Sequence, residues 1–124
     1  MSAAHTFLTT DPALFIPETG RLDAVRLARE LNVPVGMIAG AIGRKAPGVR
    51  KHPDSSSLQC ELRRLCRIWV ALVGFYAGDK SNARIFLNAP NRNLESHAPI
   101  EFIENGNLAP LESFIDAMSA RQSA

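Results

Sequence analysis

The sequence predicts an all-α fold, and three observations carry this prediction. Apolar residues recur at steps of three and four over several stretches, as they do on the buried face of a helix. Proline, glycine and asparagine separate those stretches, at positions where helices end. No run that alternates between apolar and polar residues is long enough for a sheet, and no internal repeat is visible.

Composition limits the chain to one modest core. A chain of 124 residues can hardly hold two independent domains, and a hydrophobic fraction of 46% fits a folded globular protein. The longest apolar run, Ile68 to Ala77, is about half of what a bilayer requires. Because no secretory signal is readable either, we expect a cytoplasmic protein without a membrane partner. Cys60 and Cys66 point to different faces of one predicted helix, so we expect both to be reduced and half-buried.

Charge is distributed unevenly along the chain. Residues 21–67 carry ten basic and four acidic side chains, whereas the two flanking stretches are each net acidic by two charges. A basic middle indicates a polyanion or an acidic protein as partner. A solvated basic face explains the composition equally well.

The first elements are an arm and two short helices. Residues 1–20 form an irregular arm whose apolar cluster, Leu14 to Ile16, docks on the body of the protein or on a second copy. A helical stripe then runs from Leu22 to Leu31 and is stopped by Asn32 and Pro34. The next helix covers Val35 to Ile42, and Gly43 ends it.

A basic third element follows, and the spacing of residues 21–54 is that of a helix-turn-helix. In such a unit the third helix enters the major groove of DNA. The predicted DNA-contact residues are Arg44, Lys45, Arg50 and Lys51, whose charges suit phosphates. Pro47 and Gly48 suit only a first helical turn, and Lys45 replaces the usual Ser or Thr cap. A scaffold with a solvated basic rim is therefore the alternative.

The strongest helical pattern lies in the centre of the chain, at the start of the third predicted region, residues 55–124. Ser56 and Gln59 have the spacing of a capping box, and the helix ends near Gly78. Its second half is apolar all round, so its own fold or another subunit must bury it. The residues predicted to serve the core or a homodimer contact are Trp69, Leu72, Phe75 and Tyr76.

Three further helices complete the pattern. Asp79 or Ser81 caps a helix that runs to Asn88, where Ala89 and Pro90 end it. Pro99 starts a short helix to Glu104, which Gly106 closes. The last helix covers Leu108 to Ala120 and turns one apolar face inward.

Chemistry for an enzyme is missing from the sequence. His5, His52 and His97 are widely separated, and neither a nucleophile with its base nor a phosphate loop can be found. Glu95 and Glu101 flank His97, a cluster that fits the start of a helix better than acid–base catalysis. We therefore predict a protein that is not an enzyme and needs no cofactor or metal.

One stretch carries a more specific pattern. Phe86 and Leu87 are followed by Pro90-Asn91, then by Leu94, Ser96 and Pro99-Ile100. This order resembles the toxin-binding domain of the Xre/MbcA/ParS-type bacterial antitoxins. That family usually carries Trp in the slot of Phe86 and Gly in the slot of Ser96.

The resemblance implies an antitoxin of a type II toxin–antitoxin module. Its partner would be a toxin with a RES domain that destroys NAD⁺, held inactive by the antitoxin's C-terminal region, here Phe86 to Arg121. The helix-turn-helix often also represses the module's own promoter, and homodimers and higher assemblies with the toxin are common in the family. The residues that this implies for toxin binding are Asn88, Pro90, Asn91, Arg92, Asn93, Leu94, Pro99 and Arg121. The alternative is a stand-alone helix-turn-helix regulator without a toxin, in which the 88–98 segment merely links two helices.

Overall fold

A computed structural model describes residues 13–123, with side chains up to Arg121, and the predicted all-α fold is confirmed. Within that range the chain forms helices and two isolated backbone bridges, and no strand. The helices are α1 (Ala24–Leu31), α2 (Val35–Ala41), α3 (Ala46–Lys51), α4 (Gln59–Phe75), α5 (Lys80–Asn88), α6 (Pro99–Glu104) and α7 (Leu108–Ser123). No helix of the described part is long and apolar enough to cross a membrane.

Helix α1 begins two residues later than its apolar stripe. The carboxylate of Asp23 accepts a hydrogen bond from the Arg26 amide at 2.9 Å and caps the helix. Asn32 ends it in the left-handed region, with φ of 61°, as the predicted stop signal requires. The face that includes Leu27 and Leu31 is buried.

The apolar cluster of the N-terminal arm docks on the body of the chain. Leu14 is 1% exposed and Phe15 is 9% exposed. Phe15 forms a backbone bridge with Leu22, and the Asp23 amide donates to the Leu14 carbonyl at 3.2 Å. Burial of this cluster therefore requires no second copy. The arm before Ala13, including His5, lies outside the described residues.

The start of α4 differs from the prediction. The Ser56–Gln59 capping box is wrong, because Ser55 provides the cap of a single 3₁₀ turn, Ser56–Leu58, that precedes the helix. The Gln59 carboxamide instead pairs with both backbone groups of Leu22, at 2.8 Å to the amide and 2.9 Å to the carbonyl. A side chain that satisfies two buried backbone groups at once fastens the entrance of α1 to α4.

The cysteines of α4 also differ from the expectation that both are half-buried. Cys60 is exposed, whereas Cys66 is buried at 1%. Neither forms a disulfide. Cys66 lies on the same side as Leu62 and Trp69, the apolar face that packs into the core.

The helices after α4 follow the predicted punctuation. Asp79 caps α5 by accepting from the Asn82 amide at 3.1 Å. Pro99 stands in the first turn of α6, and Gly106 turns the chain towards α7 with φ of 71°. Helix α7 runs three residues further than predicted and buries Leu108, Leu111 and Ile115.

One hydrophobic core joins the N-terminal helices to the C-terminal ones. Helix α2 packs against α1 and α3 and also against α6. A Cβ atom on Gly106 would stand 3.1 Å from the Gly40 carbonyl oxygen, closer than ordinary contact. The predicted regions 21–54 and 55–124 therefore meet at a contact of two backbones, and buried residues of both belong to a single cluster.

Candidate nucleic-acid and partner-binding surfaces

Helix α3 and the two residues before it hold the predicted DNA-contact residues. The helix is six residues long, and Pro47 occupies its first turn, where the missing amide proton costs nothing. Lys45 stands at the N-cap and makes no side-chain cap, as its replacement of Ser or Thr predicts. Val49 is the buried anchor of the helix, at 2% exposed. The helix is formed, and its short length is set by the His52 to Ser55 turn that follows.

The four predicted DNA-contact side chains are all exposed, but they do not share one face. Arg44 is held against α4, because its Nη2 donates to the Ser57 carbonyl at 3.0 Å and lies 3.5 Å from Glu61 Oε1. Arg50 lies on the α2 side, where a Cβ atom on Gly36 would stand 3.8 Å from its Nη2. Lys51 lies on the side of α3 that is opposite to the buried Val49.

A cavity of about 260 Å³ opens between α3 and the 3₁₀ turn before α4, and we call it the α3–α4 pocket. Three residues of its wall were missed as functional candidates: His52, Ser55 and Ser57. The Ser55 and Ser57 hydroxyls lie 3.0 Å apart. The signal in the sequence is the run of three serines that begins four residues after Lys51, which by itself predicts only a helix cap.

The loop between α5 and α6 is closed on itself by Asn91. The Asn91 amide donates to the His97 carbonyl at 3.0 Å, and its side chain accepts from the Asn93 amide at 2.8 Å. The Asn91 carbonyl accepts from the Leu94 and Ser96 amides at 3.0 and 2.9 Å. Residues 91–97 therefore form a compact loop in which backbone groups are satisfied internally.

The structure divides the predicted toxin-contact residues into exposed and buried ones. The prediction needs correction at two positions. Leu94 is 6% exposed and Pro99 is below 2% exposed, so both anchor the loop inside the core and offer no contact surface. Asn91 is half-buried in its closing role. The residues that remain exposed are Asn88, Pro90, Arg92, Asn93 and Arg121.

The predicted acid cluster serves the start of α6. Glu101 Oε2 accepts from the Ala98 amide at 2.8 Å, and its Oε1 lies 3.2 Å from His97 Nδ1. The hydrogen bond from the Ala98 backbone, followed by that from His97, lowers the pKa of the Glu101 carboxyl. This is the helix-start chemistry expected from the sequence. Among the described residues no group of three acidic, histidine or cysteine side chains could hold a metal.

The residues predicted for the core or a dimer contact also divide into buried and half-buried ones. Trp69 and Leu72 are buried inside one chain, at 2% and 0% exposed, whereas Phe75 and Tyr76 are half-buried. Tyr76 continues a row of aromatic rings over α5 and α7, because its centroid lies 6.2 Å from Phe86, which stacks on Phe114 at 5.9 Å. The homodimer stays a prediction.

Comparison of the chain with protein-family models, with curated proteins and with solved structures finds no match.

Proposed function

We propose that this protein is an antitoxin of a toxin–antitoxin module that binds a RES-domain toxin through its C-terminal region and duplex DNA through α3. The observation that carries the proposal is the loop of residues 91–97. Four residues of the pattern that resembles the antitoxin family build or anchor that loop. Asn91 closes it, Leu94 and Pro99 anchor it, and Ser96 adopts a φ of 65°.

The positive φ of Ser96 is informative because the family usually has glycine in this slot. A left-handed backbone conformation is one that glycine adopts without steric cost and other residues adopt rarely. A glycine preference therefore has a physical cause at this position. The shared pattern thus supports a shared loop, and we infer the shared partner from it.

Such a loop suits recognition of a protein partner. Arg92 and Asn93 project from a 3₁₀ turn, Arg92–Leu94, whose last residue is fixed in the core. Because the backbone that carries these side chains is already fixed, binding has to order only the side chains, and their hydrogen bonds contribute more fully to affinity. We propose that this loop, together with the end of α7 at Arg121, covers the active site of the toxin in the cytoplasm, in an assembly that contains a homodimer of this chain.

The experiment that tests the partner is co-purification. A tagged form of this protein is co-expressed with the product of the adjacent open reading frame, and the complex is weighed by light scattering. We expect a stable complex with a RES-domain protein. Recovery of this protein alone, at equal expression of both chains, contradicts the proposal.

A second candidate function is a stand-alone DNA-binding regulator. The arrangement of α1, α2 and α3, which contact one another, favours it together with the exposed basic side chains of α3. A gel-shift assay with the fragment upstream of its own gene tests this activity at low salt, with and without the toxin. Binding of DNA without any toxin partner would make the regulator the better description.

A further inference from the structure

We propose that the α3–α4 pocket binds one backbone phosphate of duplex DNA, with Lys45 as its main cationic contact and the Ser55–Ser57 hydroxyl pair and His52 beside it. This inference rests on the DNA-binding half of the proposed function. It assigns a task to three residues, His52, Ser55 and Ser57, that lie outside the basic segment recognised in the sequence.

The first argument for a phosphate in this pocket is the position of the pocket beside α3. An α-helix with its side chains is roughly 10–12 Å across, and the major groove of DNA is about 12 Å wide. A helix lying in that groove therefore has one phosphate backbone on each of its flanks. With Val49 turned to the core, Lys45, Gly48 and His52 lie on the flank towards α4, and Arg50 lies on the flank towards α2. The pocket is thus where one of the two strands would pass.

The chemistry of the wall suits a phosphate. Lys45 lines the pocket, is exposed and makes no ion pair within the described residues, so its three N–H donors are available to a phosphate. Ser55 and Ser57 have two hydroxyl hydrogens between them and share one hydrogen bond. One hydroxyl hydrogen therefore stays available for a phosphate oxygen.

The carboxylate of Glu61 determines which cation contributes most to phosphate binding. Glu61 lies 3.5 Å from Arg44 and offsets much of its charge, while the Ser57 carbonyl takes one of the five guanidinium N–H groups. Arg44 thus shapes the pocket by holding the turn before α3 against α4. The charge that attracts a phosphate comes from Lys45, so replacing this residue is the most direct test of phosphate binding in the pocket.

The test measures binding to a fluorescein-labelled random-sequence duplex of about 30 base pairs by anisotropy, over a series of KCl concentrations. Sequence-independent binding suffices, because phosphate contacts supply it and set its dependence on salt. The variants are Lys45→Gln, Ser57→Ala and the control Arg67→Gln. Arg67 is exposed on α4, about 13 Å along the helix from the pocket, and its replacement removes the same charge. Circular dichroism verifies that each variant is folded.

We expect Lys45→Gln to weaken binding roughly ten-fold at about 50 mM salt and to make the slope of log K against log salt shallower by about one. Ser57→Ala should weaken binding a few-fold without changing the slope, because it removes no charge. Arg67→Gln should leave both quantities as in the natural protein. Lys45→Gln combined with Arg50→Gln should lower the slope by about two, since the two side chains serve opposite strands.

Each of the other possible results contradicts a different part of the proposal. If the natural protein binds the duplex and Lys45→Gln behaves like Arg67→Gln, the pocket assignment is overturned and DNA binding by α3 stands. If the natural protein does not bind the duplex at low salt, the DNA-binding half of the proposed function fails and the assignment falls with it. A parallel NMR titration with inorganic phosphate separates the sources: amide shifts at Lys45 and Ser57 with phosphate but not with duplex would assign the pocket to a small phosphorylated ligand and overturn the DNA assignment.

Discussion

Arg84 on α5 donates a hydrogen bond from Nε to the backbone carbonyl of Glu30 on α1, at 2.7 Å. Its Nη2 also lies 3.7 Å from the Glu30 carboxylate, which Lys80 pairs as well. The guanidinium carbon of Arg84 stands 5.7 Å from the centroid of the Trp69 ring on α4. One side chain thus fixes the N-terminal helices to the C-terminal region, so the proposed DNA-binding and partner-binding surfaces are carried by one framework.

Arg84→Ala should lower the free energy of unfolding by about 1.5–3 kcal/mol, the range for hydrogen bonds that involve a charged group. The physical reason is that the Glu30 side chain, only 10% exposed, loses one of its two cations, and the Glu30 carbonyl loses its donor. Urea unfolding measures the change. Arg63→Ala, at an exposed position of the same charge, should stay within about 0.5 kcal/mol. Equal urea midpoints for the two variants would show that the Arg84 contacts add nothing to stability.

Trp69→Ala should cost roughly 3–5 kcal/mol, because it leaves a large cavity in a small core. A loss of this size is a large share of the stability of a domain of this length, so the variant should be mostly unfolded. The matched exposed position is Ile85, which is 65% exposed, and Ile85→Ala should change stability by less than about 0.5 kcal/mol. Thermal unfolding followed by circular dichroism compares them, and a cooperative Trp69→Ala transition near that of the natural protein would contradict the burial of this ring.

Ser96→Gly should keep the fold and should not lower its stability, although glycine at most positions does. The left-handed conformation costs an ordinary residue about 1–2 kcal/mol, and glycine avoids that cost while losing about 0.5–1 kcal/mol through its more flexible unfolded chain. Ala117→Gly at an exposed position of α7 provides the contrast and should be destabilised by about 0.5–1 kcal/mol. A Ser96→Gly protein that loses more stability than Ala117→Gly would argue against the loop conformation described above.

The pairing of α4 with α7 should depend on pH. Arg64 donates to both carboxylate oxygens of Glu112, at 2.8 and 2.7 Å, and this hydrogen bonding lowers the pKa of Glu112 below its ordinary value of 4.5. A carboxyl with a lowered pKa stabilises the fold above its unfolded pKa and loses that contribution as pH falls through the folded value. Because the pair is at the surface, we expect Glu112→Gln to cost only about 0.5 kcal/mol at neutral pH.

That difference between Glu112→Gln and the natural protein should vanish at an acidic pH below the lowered folded pKa of Glu112, where the protonated carboxyl is as uncharged as glutamine. Urea unfolding at neutral pH and at this acidic pH measures the difference in the free energy of unfolding. Glu104→Gln on α6 is the control, since Glu104 makes no ion pair within the described residues. A difference that persists at the lower pH would mean that the Arg64–Glu112 pair is not its cause.

Local signals predicted the helices because their causes lie within a few residues. Asp79, Pro99 and Gly106 act on the turn in which they stand, and the α4 stripe follows from its own spacing. Contacts between residues far apart in the sequence were not predicted, because their causes do not lie within a few residues. Gln59 bonds Leu22 across 37 residues and Arg84 bonds Glu30 across 54, and nothing near either residue indicates its partner.

The candidate sites were predicted in part for the same reason. Charge alone identified Arg44, Lys45, Arg50 and Lys51, and all four are exposed. Pattern alone could not separate the residues that build the 91–97 loop from those that it presents. Leu94 and Pro99 belong to the first group and Arg92 and Asn93 to the second, a division that depends on how α6 packs against α2 and α5. Asn91 is for this reason a poor test position, because its replacement would open the loop.

The central claim is tested most directly by cellular NAD⁺ in cells that express the RES-domain toxin of the adjacent reading frame. We predict that NAD⁺ is maintained with the natural protein and with Arg63→Ala, and that it falls with Arg92→Ala combined with Asn93→Ala. Interface anchors typically cost about 2 kcal/mol or more when truncated, which weakens binding about thirty-fold per anchor. NAD⁺ that falls equally with and without the natural protein would contradict the antitoxin proposal, and NAD⁺ that is maintained equally by the folded double variant would contradict the assignment of this loop.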